Sequence, residues 1–272
     1  MKLEILLSCM NRPDGKIVAD SRITGDVLVV NQCGREERRE FPTEEGRALW
    51  IDSSTKGLTV SRNLALETSR ADICLLCDDD EVFQPDYRER ILNAYGSLPQ
   101  ADVIIFNMIN RPAALGDSVR QIRFPQTMRV SSWQISFRRE RLIRAGIRFD
   151  ELLGAGTGNG AEEELKFLTD CEKAGLQIYY VPERIASVAQ AESTWFSGFD
   201  ETFFYNRGAT TRYILGYPVA AAYAIYYVVR KKAMYADRIT MSQAMKAIFR
   251  GMADNKIAKQ AEERKLRRKG TL

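Results

Sequence analysis

The sequence contains no histidine. That absence removes Ser-His-Asp and Cys-His catalysis, and every metal site that depends on imidazole. A catalytic base must then be a carboxylate, Lys, Tyr or Cys. Proline and glycine are sparse, 8 and 18 of 272 residues, which excludes collagen-like and low-complexity classes. The five cysteines, Cys9, Cys33, Cys74, Cys77 and Cys171, are odd in number and scattered, so they give no disulfide framework. Cys74 and Cys77 form a CxxC inside the apolar stretch 71–77, which reads as a buried strand. Positions three apart on a strand face opposite sides, so reduced, buried thiols in a cytoplasmic protein are expected. Long apolar runs are missing too. The best is Tyr217 to Val229, thirteen residues, short of the roughly 20 that span a bilayer. The opening Met-Lys-Leu-Glu-Ile-Leu-Leu-Ser turns polar too soon for a signal peptide.

What is present is an ordinary globular composition, 45% hydrophobic and 28% charged. The net charge of +4 is unevenly divided. Residues 228–272 hold 13 Lys/Arg against 4 Asp/Glu, a net +9, which leaves −5 for the rest. An acidic body carrying the chemistry (1–215) and a basic helical tail (216–272) meeting an anionic surface is the implied division. Apolar runs at Leu3–Leu7, Val27–Val30, Ile73–Cys77, Val103–Met108 and Ile178–Val181 read as strands. Helical patterns lie at 57–68, 85–95 and 162–174, the last with Leu165, Leu168, Cys171 and Ala174 on one side. Strands alternating with helices predict an α/β, Rossmann-like, mostly parallel sheet covered on both faces, with a C-terminal helical appendage. Such sheets bind ligands at the carboxyl ends of their strands.

Four acids, Asp78, Asp79, Asp80 and Glu81, end the third of these runs. Crowded carboxylates raise one another's pKa unless a cation is present. Oxygen donors of this kind suit Mg²⁺ or Mn²⁺, bridging one or two carboxylates to substrate phosphates. Asp78 and Asp80 are the candidate ligands, against the plainer reading of a solvated turn capping the next helix.

The segment Lys56-Gly-Leu-Thr-Val-Ser-Arg62-Asn63-Leu-Ala65, a spacer helix and the strand ending in Asp78-Asp79-Asp80 resemble family 2 glycosyltransferases of the GT-A fold. Ser8-Cys9-Met10-Asn11-Arg12 and Val29-Val30-Asn31-Gln32 are similar to that family's first two nucleotide-facing strand ends. Gln32 stands near the place where the family carries an acid for the base or ribose. Phe149-Asp150-Glu151, Gly154, Gly156 and Gly160-Ala-Glu162-Glu163-Glu164 resemble its acceptor-side region, where an acid is the base of inverting members. Spacing from Phe167-Leu168 favours Glu163 or Glu164 for that base, while helix-dipole capping is the plainer role for all three acids. Ser193-Thr194-Trp195 and Tyr205-Asn206-Arg207-Gly208 resemble the closing segment of bacterial capsule and exopolysaccharide enzymes.

The resemblance implies an inverting, metal-dependent transferase. It would move a sugar from a nucleoside-diphosphate sugar, a UDP-sugar first, to a glycan acceptor, often lipid-linked, in surface polysaccharide synthesis. Cys9, Asn11, Arg12, Gln32, Lys56, Arg62, Asp78, Asp79, Trp195 and Arg207 would meet the substrates. A sugar nucleotidyltransferase is an alternative, although Ser8–Gly15 is a poor Gly-rich phosphate loop. A non-catalytic scaffold of the same fold, partnering another transferase, is a second. In the tail, Tyr217–Val229 followed by Arg230-Lys231-Lys232, then Met241, Met245, Ile248, Phe249 and Met252 at helical spacing, suit a helix lying on an anionic leaflet. Packing on the body or on a second copy of the chain is the alternative. Residues 256–269 lack the interleaved aromatics expected for nucleic acid. The expected location is the cytoplasmic face of the inner membrane, as a peripheral protein.

Overall fold

A computed structural model of the chain describes residues 1–160, 162–189 and 198–268. It divides into two compact units, Met1–Phe149 with Glu164–Ala191, and Asp150–Glu163 with Glu192–Leu272.

All five expected apolar runs are strands of the first unit. Its elements are β1 (Leu3–Met10), α1 (Lys16–Asp20), β2 (Asp26–Gln32), β3 (Glu37–Thr43), β4 (Gly46–Ser53), α2 (Leu58–Thr68), β5 (Ile73–Asp78), β6 (Glu81–Phe83), α3 (Tyr87–Ser97), β7 (Val103–Met108), β8 (Arg120–Gln121), β9 (Ile135–Arg138), α4 (Arg139–Arg144), α5 (Glu163–Lys173) and β10 (Ile178–Val188). They form one sheet in the order β3-β4-β2-β1-β5-β9-β7-β10-β6, with β8 added on β10. The run β4-β2-β1-β5 is parallel, as is β7-β10.

Alternation along the strands feeds two cores. On β5, Ile73, Leu75 and Cys77 enter one, packed on α1 and α3. Cys74 and Leu76 enter the other, with Ala65 and Leu66 of α2 and Phe167 and Leu168 of α5. The CxxC cysteines thus face opposite sides of the sheet. Burial pushes the Cys74 thiol up to about 12 and raises Cys77 as well, as inert core thiols require. Two features lie outside the sequence reading. β9 is inserted antiparallel between β5 and β7. The β3–β4 hairpin adds an edge strand of sequence Glu-Arg-Arg-Glu-Phe-Pro-Thr, whose charges and proline blunt that edge while hiding it from an apolar count.

The second unit holds α6 (Glu201–Leu215), α7 (Tyr217–Arg230), α8 (Met241–Asp254) and α9 (Lys256–Arg268). Asp200 caps α6 by accepting from the Phe203 N–H at 2.8 Å, and Thr240 and Gln243 form a capping box on α8. Helix α6 shares one core with the helices after Gly216, built from Phe204, Ala220, Ala224, Val228, Tyr235, Ile248 and Met252. The α6–α8 crossing is close because it is notched twice. A Cβ on Gly208 would sit 1.9 Å from the Ile248 carbonyl oxygen, and one on Gly251 would sit 1.9 Å from that of Tyr205. Ile248 and Met252, expected to face a leaflet, are therefore core residues, at 0% and 1% exposure. No helix among the described residues is long and apolar enough to cross a membrane.

Candidate active site

The parallel run of the first unit brings its carboxyl ends together: Ser8 opposite Asp78, Cys9 opposite Asn31, and Asn31 opposite Asp52. Asn31, buried, is the hub. Its Oδ1 accepts from the Arg12 N–H at 2.9 Å, and its Nδ2 donates to the Arg12 carbonyl at 2.9 Å and to Asp52 Oδ1 at 2.7 Å. Asp52 also accepts from the Trp50 indole at 2.7 Å and from Arg35 at 3.1 Å. Although burial opposes its charge, these donors hold the Asp52 carboxyl below its usual range. The network fixes the turn after β1, where Asn11 is left-handed at φ 52°, and so fixes Arg12.

Arg12 reaches Asp79 at 2.9 Å, a half-exposed pair. Asp78 is held more firmly. The fully buried Arg62 donates to its Oδ1 at 2.8 Å, and Ser132 donates to its Oδ2 at 2.9 Å. Phe149 lies under the Arg62 guanidinium at 5.5 Å, which makes desolvating that cation cheaper. Glu81, fully buried, accepts from the Asp78 N–H at 2.7 Å through one oxygen, while the other has no hydrogen-bond partner. Burial and then Asp78 raise its carboxyl well above the ordinary value. Asp80 forms no close ion pair among the described residues; burial, Asp78 and Asp79 raise its carboxyl, against smaller opposing effects of its own backbone N–H and of Arg111. Among the described residues no three acids or thiols are gathered as a metal cage. One or two carboxylates, Asp80 among them, is instead the donor set that Mg²⁺ or Mn²⁺ uses when substrate phosphates supply further ligands.

The expected substrate-facing residues fall in different settings. Asn11 and Lys56 are exposed. The Gln32 side chain is buried and its oxygen accepts from the Gly57 N–H at 2.7 Å, tying β2 to the turn before α2, where Gly57 needs φ 129°. Cys9 is buried, its thiol pushed up to about 12 by burial. Trp195 lies outside the described residues. Asn31, Asp52 and Ser132 were not foreseen as parts of this network. An Asp-Ser-Ser at a strand end was a usable signal for Asp52. Ser132 reaches Asp78 across 54 positions, and no local pattern announces that.

In the second unit, Glu162 sits before α5 at φ 82°, so it is not the first helical residue that its spacing suggested. Its carboxylate meets Arg207 of α6 at 2.8 Å. Arg207 also donates to the Tyr223 hydroxyl at 2.7 Å and lies over the Tyr227 ring at 4.3 Å. Burial opposes the Arg207 charge, but Glu162, Tyr223 and Tyr227 hold its guanidinium above the usual value. The loop leading to Glu162 is braced throughout. Tyr213 donates to Asp150 at 2.6 Å, Thr210 to the Asn159 carbonyl at 2.9 Å, Asn159 to Gln260 at 2.7 Å, and Lys256 to the Gly158 carbonyl at 3.4 Å. The two candidate bases follow at once: Glu163, buried at 4% exposure, and Glu164, partly exposed.

The mostly parallel α/β sheet, with acids at the end of its central strand β5, is of the GT-A fold. Residues 26–154 match the family model described as Glycosyl transferase family 2. That match spans just under half of the chain, and over it the sequence is similar to a family 2 glycosyltransferase domain. Among solved structures, S. aureus TarS 1–349 in complex with UDP-GlcNAc is similar at TM-score 0.63 and 14% identity, covering 93% of this chain and 82% of that one. TarS 1–349 in complex with UDP is similar at TM-score 0.57 and 12% identity, covering 92% and 81%. At such identities the likeness is one of fold. No curated protein sequence matches the chain.

Proposed function

We propose that the protein is an inverting, metal-dependent glycosyltransferase that takes a UDP-sugar and a glycan acceptor, lipid-linked, in surface polysaccharide synthesis. The observation that carries this reading is the acid cluster at the end of β5, where Asp78 is locked by Arg62 and Ser132 while Asp80 forms no close ion pair among the described residues and its carboxyl is raised. Asp80 and Asp78 would hold Mg²⁺ or Mn²⁺. When bound, that ion supplies positive charge to the departing diphosphate. Arg62 and Ser132 orient Asp78, and the Asp52–Asn31 network holds Arg12 and the β1 turn where the nucleotide would lie. TarS bound to UDP-GlcNAc and UDP makes a UDP-sugar the first donor to try.

Glu163 or Glu164 would take the proton from the acceptor hydroxyl. The oxygen forms its bond to the anomeric carbon as the bond from that carbon to the diphosphate oxygen breaks, and the diphosphate leaves with the electron pair. No covalent intermediate is required. The site works at the cytoplasmic face of the membrane, where a lipid-linked acceptor is presented.

The test is a screen of nucleotide-sugars with Mn²⁺ or Mg²⁺, with and without lipid-linked acceptors, reading released nucleoside diphosphate. Release that depends on metal and is stimulated by acceptor is expected. Pyrophosphate from a sugar-1-phosphate and a nucleoside triphosphate would replace this reading with a nucleotidyltransferase. No turnover with any donor, together with nucleotide binding, would point to a scaffold.

A further inference from the structure

Helix α7 is built the wrong way round for a helix that meets only water. Its inward face is mostly small: Ala220, Ala224, Tyr227 and Val228 are buried. Its outward face carries the bulk. Val219, Ile225, Tyr226 and Val229 are 40%, 51%, 58% and 56% exposed, and fall within one stripe at helical spacing. No charged residue occurs between Tyr217 and Val229. A water-facing helix ordinarily puts polar and charged side chains on this side. Contiguous exposed apolar surface of this kind marks a contact with something other than solvent.

The charges beside the stripe say what that is. Arg230, Lys231 and Lys232 follow directly and are exposed, Met234 beyond them is 46% exposed, and Arg238 is exposed. Between residues 217 and 240 the one acid is Asp237. A two-fold contact with a second copy through this face would set the same basic corner against itself. An anionic bilayer offers a continuous sheet of it. At 14 residues the helix is about 21 Å long, short of the roughly 30 Å hydrocarbon core, so it would lie along the surface. Two exposed tyrosines, Tyr217 and Tyr226, suit the headgroup level.

We infer that the outward face of α7, with the corner at Arg230–Lys232 and Met234, is a docking surface for an anionic phospholipid bilayer. It replaces α8, whose apolar side is in the core, as the membrane-contacting element. The inference deepens the membrane-side part of the proposed function, but it is read out by binding and not by turnover.

The test is co-sedimentation of the full chain with vesicles of pure phosphatidylcholine and of phosphatidylcholine containing 30% phosphatidylglycerol, at low and high salt. Binding to the anionic vesicles, at least tenfold tighter than to the neutral ones and weakened in part by salt, is expected. Arg230→Gln/Lys231→Gln/Lys232→Gln should lose roughly tenfold or more in affinity and most of the salt dependence. Ile225→Ser/Tyr226→Ser/Val229→Ser should weaken binding while keeping the salt dependence. All six side chains are exposed, so both variants should keep wild-type thermal unfolding and nucleotide binding. A Tyr226→Trp probe should shift its emission to the blue with anionic vesicles. Equal binding by wild type and both variants would overturn the proposal. So would a wild-type dimer that ignores vesicles and becomes monomeric in the Ser variant, which would assign the face to a second copy. Vesicle binding that follows the pattern above stands even if no donor is ever turned over.

Discussion

The acids at the end of β5 in the first unit and Glu162 in the second are partnered differently. At the end of β5, four consecutive acids are met by two arginines, and only Arg62 among these is fully buried. Asp80 and Glu81 are left with their carboxyls raised by burial and by their neighbours. Before α5, Glu162 is partly buried and burial raises its carboxyl too, but it has a cation of its own in Arg207, which opposes that shift, with Tyr223 and Tyr227 around that cation. The first group is short of positive charge and gains if a cation arrives. The Glu162–Arg207 pair is already matched in charge and joins the loop before α5 to α6. A conspicuous run of acids is therefore not one kind of signal, because the count of cations brought by the fold decides what each acid is for.

The largest expected effect falls on the residues next to that neutral pair. Glu163→Gln or Glu164→Gln, whichever is the base, should lower turnover by roughly 10²–10⁴-fold with donor affinity nearly unchanged, as read by steady-state kinetics and nucleotide titration. If a variant unfolds instead, that glutamate is structural in the same sense as Glu162.

Next, Arg207→Met should strand the partly buried Glu162 carboxylate. The expected cost is about 3–5 kcal/mol in denaturant unfolding, much of it restored by adding Glu162→Gln. Loss of activity at unchanged stability would place Arg207 with the substrate.

Asp52→Asn removes the anion that ties Arg35, Trp50 and Asn31, for about 1–3 kcal/mol. Because the folded-state pKa of Asp52 is depressed, its contribution is present above the unfolded value near 3.9 and lost as pH falls through the lower folded one. The gap between wild type and variant, measured by urea midpoints, should accordingly shrink in acid.

The smallest effect on stability belongs to Asp80→Asn, which should leave the metal-free unfolding temperature unchanged or raised. In the same variant, calorimetry should show that Mn²⁺ no longer strengthens UDP binding. A clear drop in metal-free stability would mean that Asp80 is a structural partner and that the β5 cluster is not short of charge.

Much of this was legible in the sequence because it rests on local periodicity. Alternation at 73–77 and the 3.6-residue spacing of Leu165, Leu168 and Cys171 depend on nothing beyond a few neighbours, and the strands and helix are where those patterns put them. The hairpin over Glu37–Ser53 was not legible, because its outer strand is charged and gains no apolar face. Gln32, read as a base-facing residue, spends its oxygen on the Gly57 N–H. That partner is 25 positions away, and only the fold puts the two within 2.7 Å.

By itself the sequence determined the alternation of strands and helices, the acids at the end of β5, and the excess of positive charge after residue 228. These follow from composition and short-range spacing, which a chain carries whatever its fold. The tertiary structure alone decided which acids keep a cation and which side of each C-terminal helix meets water. Ion pairing such as Glu162 with Arg207 joins residues 45 positions apart. The facing of α7 and α8 depends on the notch at Gly208 and Gly251, which draws α8 onto α6 and takes Ile248 and Met252 into the core. Hydrophobic spacing gives a helix an apolar side, but burial is a property of the neighbour that arrives to cover it.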